Sequence, residues 1–154
     1  MQALSPAIEV YPVHPLPILK AYADQLGLVS LSNHYVPTEM GVDAGPVVLA
    51  MVLDTLSGRS PLYRLEEFFA QQDTALLLGK AVPPQALNDE TAGRVLDRLY
   101  DFGTMRLFTA WAVRAATRCG LERRSVHFET TSRSVWGDDP FAETQDLPLQ
   151  VTYG

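Results

Sequence analysis

Glu129 stands in the run His127-Phe128-Glu129-Thr130-Thr131-Ser132. Alternation along an extended strand puts His127, Glu129, Thr131 and Arg133 on one face and Val126, Phe128 and Thr130 on the other. A carboxylate held on a rigid strand is how a Mg²⁺-dependent phosphoryl-transfer site begins, because that ion takes hard oxygen donors in fixed geometry. One carboxylate does not make a site, and on pattern alone the segment reads first as an exposed strand face. The second chemically capable set is Arg106, Arg114, Arg118, Arg123, Arg124 and Arg133. Arginine forks match phosphate oxygens, so this set reads either as a DNA-contacting surface or as surface charge paired with the acidic residues that follow it.

Other chemistries find less support. His14, His34 and His127 are far apart and show no ligand spacing, so they read as ordinary surface or core histidines. There is no G-x-S-x-G elbow, no phosphate-cradling glycine loop and no dinucleotide fingerprint. Asp43, Asp54, Glu66, Glu67 and Asp73 fall at expected helix starts or on expected solvent faces, where a carboxylate complements the helix dipole or meets water. Cys119 is the only cysteine, which excludes an intrachain disulfide and a multi-cysteine metal site and leaves it as a small core residue.

The surrounding composition is that of a globular chain: of 154 residues 47% are hydrophobic and 19% charged, enough apolar surface to bury a core and too little charge for disorder by default. The net charge of −6 argues against indiscriminate nucleic-acid binding, but it is unevenly placed. Residues 1–103 carry −6, residues 104–135 carry six arginines against Glu122 and Glu129, and residues 136–154 carry −4. A positive band therefore lies between two acidic regions. The first twenty residues hold neither a basic leader with a long apolar run nor a membrane-spanning stretch, so a cytoplasmic chain with no membrane partner is expected.

The elements that must position these residues are mostly helical. Pro17 suits the first turn of a helix over about 18–26 closed by Gly27, and a second short helix precedes Pro37. Residues 38–45 read as a loop, after which Pro46 opens an almost wholly apolar helix, 47–56, expected at the centre of the fold. Pro61 starts a helix with a Leu62, Leu65, Phe69 stripe, and Asp73 or Thr74 caps a short turn over 75–78. Asn88 caps a helix whose Ala92, Val95, Leu96, Leu99 and Tyr100 share a face, ended by Gly103. Thr104 caps the next, with a core stripe of Leu107, Phe108, Trp111, Ala112, Ala115 and Cys119 and with Arg114 and Arg118 on its outer side. Beyond Gly120 the pattern changes to alternation, predicting a strand over 125–136, an acidic loop over 138–147 and a second, antiparallel strand over 149–153.

The segments Ser60-Pro61-Leu62-Tyr63, Phe68-Phe69, Leu77-Leu78-Gly79, Leu87-Asn88-Asp89 and Gly93-Arg94-Val95-Leu96-Asp97-Arg98-Leu99-Tyr100 resemble the N-terminal region of DDE-type insertion-sequence transposases, a region often described only as a domain of unknown function. The 127–132 run, with Val135 and Gly137, and the closing Leu149-Gln150-Val151-Thr152-Tyr153-Gly154 resemble the first two strands of that family's ribonuclease-H-like core. The resemblance implies a site in which two aspartates and one glutamate hold Mg²⁺ ions that activate water or a DNA 3′ hydroxyl. It places Glu129 where the family has its first aspartate, and its extra methylene displaces the carboxylate by more than the ~0.5 Å such sites tolerate. The remaining two carboxylates would fall beyond Gly154, so neither cleavage nor a bound Mg²⁺ is expected of this chain.

These readings combine into a mainly α chain: a helical N-terminal domain over 1–120, then over 121–154 a β-hairpin that begins an incomplete ribonuclease-H-like fold. The expected function is that of a truncated transposase or transposase-derived protein that keeps DNA-end binding or assembly, with transposon ends, full-length transposase or a second copy as partner. The rival is an acidic protein-interaction module with no DNA role, suggested by the net charge and an unpaired strand edge.

Overall fold

The computed structural model describes residues 10–121. They form seven α-helices: α1 (Leu16–Leu26), α2 (Leu28–Tyr35), α3 (Ala44–Ser57), α4 (Leu65–Phe69), α5 (Thr74–Leu78), α6 (Asp89–Phe102) and α7 (Thr104–Arg118). Short 3₁₀ turns at Leu62–Arg64 and Pro84–Leu87 precede α4 and α6. The chain divides into two units, Met1–Glu122 and Arg123–Gly154, and these helices belong to the first.

Among the described residues every regular element is helical, with no strand, sheet or hairpin, so the architecture is all-α rather than helical with a β-hairpin. The segments in which strands were expected, 125–136 and 149–153, lie outside the described residues. Physically, helices alone close this core, and a two-stranded hairpin without further strands is marginal.

Local chemistry explains most helix boundaries. Gly27, at φ 65°, donates its N–H to the carbonyls of Ala23 and Asp24 and so ends α1, and α2 begins at the next residue. A side chain there would enter strained backbone and also meet the Arg114 guanidinium at 2.7 Å. α3 begins at Ala44, three residues before the expected Val47, because Pro46 is tolerated within the first turn, where its missing N–H has no intrahelical partner to lose. The Gly45 N–H is instead taken by Asn33 Oδ1 of α2 at 2.6 Å. Asp73 accepts from the Leu76 N–H at 2.9 Å to cap α5, and Asn88 accepts from the Thr91 N–H at 2.8 Å to cap α6. Asn88→Ala is expected to lower stability by about 1 kcal/mol, read as a shift of the urea midpoint with unchanged slope.

The core gathers on α3, whose residues 44–50 are all buried, as is Leu53. α2 lies along it, α6 and α4 pack on its other sides, and α1 touches α3, α5 and α7. Leu16, Leu65, Phe69, Leu77, Leu87, Val95 and Leu107 carry the remaining helices and the second 3₁₀ turn into this core. Asp54 departs from the solvent-face expectation: it is buried, and its Oδ2 accepts the Ser60 N–H at 2.9 Å. Its main-chain carbonyl takes the N–H groups of Gly58 and of Arg59, which adopts a left-handed φ of 53°. Asp54 is thus the organiser of the turn that leaves α3.

α7 also differs from expectation. Gly103, not Thr104, precedes its first helical residue, and of the expected core stripe only Leu107 is buried. Trp111 and Ala115 are half-buried, whereas Phe108, Ala112 and Cys119 are exposed. A six-residue stripe covers more of the helix surface than its neighbours can bury, and α1, α2 and α6 claim the Leu107 edge of it.

Candidate nucleic-acid interface

Of the six arginines singled out in the sequence, the structure places three, all on α7. Arg106 projects near the N-terminal end, exposed, with its guanidinium 5.0 Å from the centre of the Phe102 ring, a cation–π contact that fixes its stem while leaving the fork in water. Arg118 is exposed in the last turn, where a cation complements the carbonyl end of the helix dipole. Arg114 is half-buried rather than on the outer side: its guanidinium packs against Gly27, and its Nε is buried without a hydrogen-bond partner among the described residues. At 100° per residue Arg114 and Arg118 lie about 40° apart around α7, and Arg106 and Arg118 are separated by about 18 Å along it. Arg123, Arg124, Arg133 and Glu129 lie outside the described residues.

The electrostatic setting of these groups differs from that of most other basic residues. Lys20 pairs with Asp24, Arg64 with Glu67 at 2.8 Å, Lys80 with Asp43 at 2.8 Å and Arg94 with Glu90. The Glu67 carboxylate raises the Arg64 pKa above its ordinary value by hydrogen bonding and by its charge. Arg98 donates to the Pro37 carbonyl at 3.2 Å. By contrast, no α7 arginine forms an ion pair among the described residues, and the helix contains no acidic residue. The separation of acidic and basic residues was legible in the sequence; the pairing of the others was not, because Lys80 and Asp43 are distant in the chain.

The other candidates receive structural duties. Asp43, Glu67 and Asp73 serve two ion pairs and a helix cap, and Asp54 holds a turn. A cleft of about 240 Å³ beside α3 is lined by Asn33, Thr38 and Asp43, but Asn33 and Asp43 already serve Gly45 and Lys80. His34 makes an edge contact with the Tyr35 ring, His14 lies in a left-handed turn, and His127 is outside the described residues. Among the described residues no group of three or more His, Cys, Asp or Glu is placed to hold a metal ion. No helix among them is long and apolar enough to cross a membrane.

Among the described residues these features define an all-helical domain in which α7 carries three arginines without an ion pair and no acidic residue. The family model described as "Domain of unknown function (DUF4277)" matches residues 8–113, and the chain belongs to that family. The match takes in α1 through α6 and Arg106, and ends just before Arg114. No curated protein and no solved structure matches the chain.

Proposed function

We propose that this chain is a transposase-derived protein of the DDE insertion-sequence type, whose helical domain binds DNA ends or joins transposase subunits and does not itself cleave strands. The observation that carries the DNA part is the contrast on α7: its three arginines lack ion pairs among the described residues, whereas four of the other basic residues have them. An unpaired arginine on a helix free of carboxylates pays no penalty of breaking an internal bridge when it meets phosphate, and its fork matches two phosphate oxygens at once. The transposase assignment is supported by family membership over residues 8–113 and by the resemblance of the motifs between Ser60 and Tyr100. The two units, and the boundary near 120 at which the helical domain gives way to the next, belong to the same proposal. No step is assigned to Mg²⁺ or to Glu129.

Each phosphate neutralised releases condensed counterions, so log affinity falls with log salt at a slope of about −0.9 per contact. Arg106→Gln and Arg118→Gln are each expected to weaken duplex binding uniformly across sequences and to reduce that slope by about 1. Arg114→Gln is expected to change it less, because its guanidinium faces Gly27. Fluorescence anisotropy with a labelled duplex reads all three. Slopes equal to that of the unsubstituted chain in both exposed variants would remove α7 from the interface.

A further inference from the structure

We propose that the DNA-contacting surface does not run along α7 alone but turns at Arg106 across two aromatic rings onto α2, where His34 and Arg98 extend it; this rests on the reading of Arg106 given above. Three ring contacts form one chain. The Arg106 guanidinium sits 5.0 Å from the centre of the Phe102 ring, Phe102 lies 5.2 Å from Tyr35, and Tyr35 meets His34 edge-on at 4.9 Å. The His34 ring therefore stands within about 15 Å of the Arg106 guanidinium. Phe102 and Tyr35 in the middle of the chain are half-buried, whereas Arg106 and His34 at its two ends are exposed. A ring that holds a cation over its face leaves the N–H groups of that cation free for an acceptor.

A second contact joins the same elements. Arg98 stands one turn before Phe102 on α6, and its Nη1 donates at 3.2 Å to the carbonyl of Pro37, two residues after Tyr35. That bond engages one N–H of the five on the guanidinium, and Arg98 is exposed with no ion pair among the described residues. Where α2 and α6 end and α7 begins, two arginines and an imidazole thus border one pair of packed rings. Asp97 and Asp101 project about 60–100° around α6 from Arg98 and Phe102. Glu39, two residues beyond Pro37, is the carboxylate left nearest to them in the chain. Phosphates recur every ~3.4 Å of duplex axis along one strand, so a patch of this length faces four or five of them in a row.

Anisotropy of a labelled duplex over a salt series tests the extension. Arg98→Gln is expected to reduce the log–log slope by about 1. His34→Gln is expected to weaken binding about three- to tenfold, the loss of a hydrogen bond to a charged group. His34→Lys adds a charge at the same exposed position and is expected to tighten binding and steepen the slope by about 1, a gain that a merely structural role does not produce. Arg59 is the comparator: it is exposed, has no ion pair among the described residues, and lies past the far end of α3, about 20 Å from the end that Asn33 touches. Arg59→Gln is expected to leave the slope unchanged, and all four variants keep the helical circular dichroism of the unsubstituted chain. Binding by the His34 and Arg98 variants equal to that of the unsubstituted chain, or an Arg59→Gln loss as large as that of Arg98→Gln, overturns the extension and leaves the α7 reading standing. No duplex binding by the unsubstituted chain removes both.

Discussion

Replacing Phe69 with alanine is expected to cost about 3–5 kcal/mol of stability, the usual range for truncating a fully buried aromatic ring. Phe69 is completely buried and meets the Phe68 ring edge-on, with centroids 5.1 Å apart. It lies on a helix of only five residues, too short to hold itself together by backbone hydrogen bonds, so α4 depends on what Leu65 and Phe69 bury. The ring also joins parts of the core remote in sequence, since α4 packs against α3 and against the Pro84–Leu87 turn. Its loss leaves a cavity at that junction, in a domain whose whole stability is on the order of 5–15 kcal/mol. Urea unfolding followed by circular dichroism measures the change. A shift under about 1 kcal/mol would mean that α4 is not anchored as described.

Gly45→Ala carries the second large effect, and its sign is the informative part. In an open helix the exchange stabilises by up to about 1 kcal/mol, because alanine loses less backbone entropy than glycine. Here a Cβ on residue 45 would stand 2.5 Å from the Val29 carbonyl oxygen and 2.7 Å from Asn33 Oδ1. The first of these is backbone, so α2 as a whole must move, and the second is the group that caps the Gly45 N–H at 2.6 Å. Overpacking of about 1–3 kcal/mol together with loss of about 1 kcal/mol of capping gives an expected destabilisation of about 2–4 kcal/mol. The same urea titration decides it; a stabilised variant would show that α2 and α3 do not approach so closely.

These two residues also mark where the sequence was readable. Phe69 announces itself by helical spacing from Leu65 and Leu62, and Asn88 and Asp73 by cap chemistry that acts within three residues. Gly45 looks like loop because its role depends on α2, twelve residues upstream in the chain. Asp54 is illegible for a similar reason: its partner, Ser60, is reached through a left-handed Arg59 that no local pattern predicts. On α7 the apolar stripe was wide enough to contain both the buried Leu107 and the exposed Phe108, and only the neighbouring helices decide between them. The arginines of the candidate interface were legible as a cluster. That Arg114 turns toward Gly27 while Arg106 stacks on Phe102 was not, since both contacts need the tertiary arrangement. The expectation of a hairpin rested on alternation in residues outside those described, and the described helices close their core without one.

The central claim is that the acid-free arginines of α7 meet phosphate, and the salt dependence of duplex binding by the intact chain tests it most directly. Anisotropy titrations of a labelled duplex between low and moderate salt are expected to give a log–log slope of about −2 or steeper, from Arg106 and Arg118 at least. Binding that is absent at low salt, or that does not change with salt, would contradict the claim and leave the acidic chain as a protein-interaction module.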